Sequence, residues 1–462
     1  MKMRSPPEPA CLIDLSRRSG RIDRDIATAE LSFRFAEFPA ATSLTGGRER
    51  LAGRSVLLAV SDQLRTAAAL IELDGLARRL VLCPPGLDAK VLHEIAAIAE
   101  VDAVVHEADT PPPIAIESAL SAPCQLPLQP ATQASTARTV TEWVLLTSGT
   151  TGSPKLVSHN LATLTGAFST AGSDDVQNWA TFYDIRRYGG LQILLRAIAG
   201  AGSLTLTNAE EPLEDFFVRA AARGVTHISG TPSHWRLFLM SGTAHRFSPK
   251  YVRLSGEIAD ASIIDGLKEF FPGARVAHAY ASTEAGVGFE VGDGEPGFPA
   301  SFLGERPGGV AMKIVDGSLR IRSPRTASVY VGRDMPSLRD EDGFIDTGDM
   351  IEQQGDRCYF VGRRGGVINV GGAKVHPEEV EAVINRQTGV RMSLVKARRN
   401  PIAGALVVAD VVLEDDAPAE ETVRNAILGA CRSELAPYKL PAIIRFVREL
   451  AMTAAGKLAR NG

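Results

Sequence analysis

The run Thr147-Ser148-Gly149-Thr150-Thr151-Gly152-Ser153 constrains this chain more than any other stretch. It follows an apolar segment, Trp143 to Leu146, that reads as a buried strand, and it leads into Pro154 and Lys155. Two glycines let main-chain N–H groups approach phosphate oxygens, the hydroxyls add donors, and Lys155 adds positive charge. The stretch therefore has the makings of a polyphosphate cradle. It is not a Walker A loop, which needs four residues between its glycines and Ser or Thr after the lysine. Here Thr150 and Thr151 alone separate the glycines, and Leu156 follows Lys155. An ordinary turn uses the same residue types for backbone reasons, so the rest of the chain must decide between the readings.

At 462 residues the chain is too long for one core, and two or three domains are expected. Ser55–Val60, Leu80–Cys83 and Ala103–Val105 read as buried strands, with apolar residues at helical spacing between them. Residues 109–139, with repeated prolines, read as a linker. Further on, helices at 191–198 and 213–223 alternate with strands at 203–207, 225–228 and 276–280, and Phe216, Phe217 and Ala220 share one helix face. This alternation predicts an α/β fold with parallel βα layers, whose ligands sit outside the carboxyl ends of the strands.

The last of these strands ends in Tyr280-Ala281-Ser282-Thr283-Glu284, where a carboxylate suited to a hard cation stands beside hydroxyls. A helix cap after a strand would use Ser, Thr and Glu equally well. Leu254–Ile258 places Gly256 before Glu257, and Gly343–Asp349 ends on a carboxylate able to accept two hydroxyl donors. Phe360–Glu381 carries Gly362-Arg363 and the pair Gly365-Gly366. Met452–Arg460 sets Lys457 on a glycine turn, from which it can reach into a cleft.

In this order the motifs resemble those of the adenylate-forming family, which includes acyl- and aryl-CoA ligases, luciferases and peptide-synthetase adenylation domains. The likeness covers roughly residues 140–460. It implies a large N-terminal multi-subdomain α/β domain (1–362), shortened at its start, a hinge (363–366) and a small mobile C-terminal α+β domain (367–462). It also implies activation of a carboxylic acid by ATP to acyl-AMP, then transfer to a thiol. On this reading Thr147, Ser148, Gly149, Thr150, Thr151, Gly152 and Lys155 hold phosphates, and Gly256 and Glu257 lie beside the adenine. The Tyr280-Ala281-Ser282 turn also borders the nucleotide. Thr283 bonds the α-phosphate, Glu284 ligates Mg2+, Asp349 and Arg363 hold the ribose, and Lys457 carries the adenylation step.

The chain departs from the family pattern at Ala281, where glycine is usual, and at the hinge glycines Gly365 and Gly366, where acids or lysine are common. Arg186 falls nearest the place of a family histidine. Tyr183, Arg186 and Trp235 are the candidates for the acid pocket. Either Arg186 or Arg187 pairs with a second polar or acidic group on the substrate, or both face solvent or bond Asp184.

A formal charge of -4 gives no reason to expect nucleic acid as a partner, and no apolar run reaches the ~20 residues of a membrane span. Five scattered cysteines, with no signal-peptide pattern before them, fit a soluble, unprocessed cytoplasmic protein. The acceptor thiol would belong to coenzyme A, or to the phosphopantetheine of a separate carrier protein. A non-catalytic nucleotide-binding protein that kept the fold is the reading from another class.

Overall fold

Strands with β-branched and leucine residues on both faces can only be buried on both faces, and the chain places them so. Ser55–Leu58, Arg79–Leu82, Ala103–Glu107 and Glu142–Thr147 pair in parallel within one eight-stranded sheet, and all of Ser55–Leu58 is buried. A second eight-stranded sheet holds Trp179–Thr181, Leu204–Leu206, His227–Gly230, Tyr251–Ser255 and Arg275–Ser282, again in parallel. The computed structural model describes residues 11–17, 20–131, 139–147, 154–168, 176–208, 211–240, 247–333, 335–370, 373–400, 404–453 and 457–459.

The two sheets share one core through the helices Gln63–Leu73 and Tyr188–Ala199. Asp62 caps the first helix, accepting from the Arg65 N–H at 2.7 Å. The buried guanidinium of Arg24 closes the other end of the second. It donates to the carbonyls of Ala197 (3.0 Å) and Gly200 (2.6 Å), which the helix C-terminus leaves without intrahelical partners. Phe216, Phe217 and Ala220 are fully buried, as their shared helix face requires.

One expectation fails outside the site. The stretch 109–139 is no bare linker, because Leu120–Pro130 forms a strand parallel to Ala103–Glu107 and antiparallel to Ala41–Leu44. Its prolines hid it. They disrupt the alternating pattern, yet only Ala41–Leu44 lies beyond this strand, near the sheet edge, where missing N–H donors are tolerated.

A six-stranded antiparallel sheet follows, ending in Ile345–Gln354 paired with Arg357–Arg363. Beyond a single 3-10 turn at Arg364–Gly366, the helices Pro377–Ile384 and Glu420–Glu434 pack on strands Val390–Asn400, Gly404–Leu413 and Ile443–Phe446. This unit has its own core, built of Val380, Val383, Ile384, Val395, Ile427 and their neighbours, with no residue from before Ile368. Among the described residues, no helix is long and apolar enough to cross a membrane.

Candidate active site

Adjacent parallel strands end side by side at Thr181, Gly230 and Ser255, and the next ends at Ser282. The residues just past those ends are Phe182–Arg187, Thr231–His234, Gly256–Glu257 and Thr283–Glu284, so the topology gathers four separated stretches into one cleft. A register shift between Tyr280 and Ala281 bulges the last strand where it enters the cleft, and bulges of this kind re-aim side chains.

The C-terminal segment reaches the same place. Met452 and Leu458 form an antiparallel bridge, and the Thr453 N–H donates to the Lys457 carbonyl at 2.7 Å, closing a tight loop. Gly256 has φ +86, and a Cβ there would stand 3.3 Å from Lys457 Cε, so only glycine leaves the lysine its room. Glu257 latches the loop down, accepting from the Leu458 N–H at 3.2 Å and, on its other oxygen, from the Ser233 N–H at 2.9 Å. Lys457 keeps contact with solvent, yet protein crowds its ammonium, and loss of water is the main influence lowering its pKa. Arg363 and Arg187 act in the same direction, while Glu257 and Asp349 oppose.

Asp349 lies opposite Arg363 in the antiparallel pair. One oxygen meets Arg363 Nε at 3.0 Å and the other accepts from the Tyr280 hydroxyl at 2.5 Å. Each oxygen keeps a second acceptor direction for a ligand hydroxyl. The Tyr280 ring stacks on Phe360 with centroids 5.2 Å apart, and burial with the nearby carboxylate pushes its phenol well above the ordinary range. Its proton therefore stays on and points at Asp349.

Thr283 and Glu284 are held by a residue that the motif search passed over. His159 Nε2 lies 2.7 Å from the Thr283 carbonyl, so this nitrogen carries the proton, and burial lowers the imidazole to about 4. An unfolded histidine near 6.5 is protonated first, so the stabilisation from the neutral ring is complete above about 6.5 and is lost as pH falls through about 4. Wild type should lose up to roughly 3 kcal/mol over that window relative to His159→Gln, which keeps a donor but cannot ionise. Denaturation curves between pH 7 and pH 4 check this, and a constant gap between the two proteins refutes it.

Glu284 has no side-chain partner among the described residues, and its charge helps burial raise Tyr330 to about 12. Lys155 Nζ lies 5.1 Å from the Tyr330 ring centroid. Thr147 and Lys155 face each other at the base of an antiparallel hairpin, so the glycine-rich stretch joins two strands rather than a strand and a helix. Ser148, Gly149, Thr150, Thr151 and Gly152 themselves lie outside the described residues. Among the described residues, no group of three or more His, Cys, Asp or Glu could hold a metal. Gly365 falls within the turn at Arg364–Gly366 and has no positive φ.

Two pocket candidates face the interior instead. Arg186 is 4% exposed and spends its guanidinium on Asp184 (2.7 Å) and on the carbonyls of Val60 and Ser61 (both 2.6 Å), tying the two sheets together. Trp235 is fully buried among Phe182, Phe238 and Phe271, with Nε1 donating to the Arg253 carbonyl at 3.3 Å. Arg186→Ala should cost about 3 kcal/mol of stability, because Asp184 loses its cation, without reordering the acids accepted. A reordered acid preference at unchanged stability would return Arg186 to the pocket. Tyr183 is nearly buried, its hydroxyl donating to the Ser255 carbonyl at 2.7 Å.

The residues that turn toward the cleft are instead Arg187 and His234. The Thr231 N–H donates to His234 Nδ1 at 3.2 Å, which leaves the proton on Nε2, and burial lowers this ring to about 4 as well. Its plane stacks on Phe182 at 5.3 Å. The sequence signal for it was position, one residue before the more conspicuous tryptophan.

The family model described as AMP-binding enzyme matches residues 58–331, and that described as AMP-binding enzyme C-terminal domain matches residues 379–457. A 2-succinylbenzoate–CoA ligase of Bacillus cytotoxicus is 27% identical over 340 residues, covering 69% of this chain and 68% of that protein. The fold is similar to that of the anthranilate CoA ligase AuaEII in complex with anthranoyl-AMP, with TM-score 0.78 and 18% identity over 99% of this chain and 97% of that one. It is also similar to E. coli MenE with bound OSB-AMS, with TM-score 0.75 and 21% identity over 94% of each chain. With its two domains matched in order over most of its length, the chain belongs to the AMP-binding, adenylate-forming enzyme family.

Proposed function

We propose that this AMP-forming ligase joins a carboxylic acid to coenzyme A through an acyl-adenylate. A carboxylate is a poor acyl donor. Attack of its oxygen on the α-phosphorus of ATP forms an O–P bond, breaks the bond to pyrophosphate and leaves an anhydride with AMP as leaving group. The thiol then forms the C–S bond as the acyl C–O bond breaks, releasing AMP and a proton.

The observation that carries this reading is the docking of Lys457 against Gly256, between the Glu257 latch and the Asp349–Arg363 pair. An ammonium fixed there can bear the charge that develops on carboxylate and α-phosphate oxygens. Asp349 and Arg363 would receive the ribose, Thr283 the α-phosphate, and the stretch Thr147–Lys155 the departing pyrophosphate. Glu257, with both oxygens committed to main-chain N–H groups, serves as the latch of the lysine loop beside the adenine position.

Magnesium fits the donor set, since one unpartnered carboxylate plus phosphate oxygens and water suffices for it. Glu284 would hold the ion, which when bound neutralises phosphate charge. The relatives' printed substrate makes an aryl acid the first class to try.

ATP–pyrophosphate exchange over aryl, short, medium and long-chain acids, with magnesium and no thiol, tests the first step. Acyl transfer to coenzyme A or to a phosphopantetheinyl carrier then tests the second. Exchange with no acid despite ATP binding would overturn the reading, and transfer to the carrier alone would overturn its coenzyme A half.

A further inference from the structure

Neighbouring arginines at the mouth of the helix Tyr188–Ala199 have opposite fates. The loop before this helix folds back tightly: a Cβ on Gly190 would run into the Asp184 carbonyl, and one on Gly189 would touch the Tyr183 ring at 3.6 Å. The Arg187 N–H donates to the Asp184 carbonyl at 3.1 Å, and its carbonyl accepts from the Leu191 N–H at 2.9 Å, so the backbone of Arg187 is fixed as the helix N-cap. Arg186 turns into the protein and is fully paired. Arg187 goes the other way, close enough to Lys457 for its charge to bear on that ammonium.

The Arg187 guanidinium is without a partner. Its Nε is shut off from solvent and makes no hydrogen bond, and among the described residues no carboxylate lies within ion-pair distance. The nearby acids are already occupied: Asp184 by Arg186, Glu257 by the N–H groups of Ser233 and Leu458, and Asp349 by Arg363 and Tyr280. His234 stays neutral and brings a donor without charge. A cation that has given up water without gaining an anion is costly, and a ligand anion removes the cost. The planar fork of arginine matches a carboxylate with two parallel hydrogen bonds.

If Lys457 serves the reacting carboxylate, a different anion is required for Arg187. Resting on the ligase reading above, we propose that Arg187 receives a second anionic group of the acid, so that the preferred substrates are dicarboxylic acids of which one carboxylate is adenylated. Arg187 is then a specificity-determining residue, and His234 Nε2 is a further donor on the same wall.

The test pairs acids of one skeleton, benzoate with terephthalate and hexanoate with adipate, in ATP–pyrophosphate exchange, for wild type, Arg187→Ala and Arg187→Lys. ATP affinity is measured on each protein by calorimetry. The diacid should exchange with the lower KM in at least one pair. Arg187→Ala should shrink that preference about 10- to 100-fold, the range for a lost charge-assisted hydrogen bond, and Arg187→Lys should shrink it less. Exchange that favours the monoacids, or a diacid preference that survives Arg187→Ala, overturns the inference while leaving the ligase reading intact. An equal loss of ATP affinity and of exchange with both acid classes assigns Arg187 to the nucleotide and also overturns it. Binding of ATP by wild type without exchange for any acid refutes the ligase reading, and this inference with it.

Discussion

Lys457→Ala should reduce ATP–pyrophosphate exchange by about 10^2- to 10^3-fold or more, the usual cost of removing one preorganised charge from a reacting centre. Thiolysis of supplied acyl-AMP should continue near its wild-type rate. The asymmetry has a structural basis. Lys457 stands on a loop of the C-terminal unit that touches the large domain through Glu257 and Gly256, and only the 3-10 turn Arg364–Gly366 and its flanks join the two units in sequence. A charge delivered by a docked loop can serve one half-reaction and be withdrawn for the other. Equal loss of both half-reactions would mean that Lys457 is needed throughout, or that the loop never leaves. Glu257→Gln separates these cases: it keeps one acceptor for the latch but removes the carboxylate charge that favours the ammonium of Lys457.

Asp349→Ala should weaken ATP and AMP binding by about 10- to 100-fold and also lower stability by about 1 to 3 kcal/mol. The first effect follows from losing a carboxylate with two open acceptor directions. The second follows from its present partners, since the buried Tyr280 hydroxyl loses its acceptor and Arg363 its counter-ion. Tyr280→Phe in the same background should recover much of the stability, because the stranded hydroxyl goes with the substitution, but none of the affinity. Calorimetric titration and thermal unfolding read the two effects independently. Unchanged nucleotide affinity in Asp349→Ala would remove this residue from the ribose site.

The hydrophobic runs were legible because burial on both faces leaves an unmistakable pattern, and the strands around Val56, Leu80 and Val104 stand close to where their residues predict. The helix carrying Phe216 and Phe217 was legible for the same reason. Leu120–Pro130 was not, because its pairing is non-local and its prolines imitate a linker. At the site, Gly256, Asp349, Arg363 and Lys457 could be named from motif and chemistry, and these four do converge.

By itself, then, the sequence determined the chemistry on offer: a hydroxyl- and glycine-rich stretch, an acid after a strand end, an acid paired with an arginine, and a lysine on a turn. Only the tertiary structure decided which way each side chain points. Arg186 and Arg187 are adjacent and chemically identical, yet one is spent on the carbonyls of Val60 and Ser61 while the other faces the cleft unpaired. Trp235 and His234 divide in the same manner between core and site. The physical reason is that a side chain's direction depends on partners more than a hundred residues away, such as Val60 for Arg186. Local pattern records what a residue can do, whereas packing fixes what is left for it to meet.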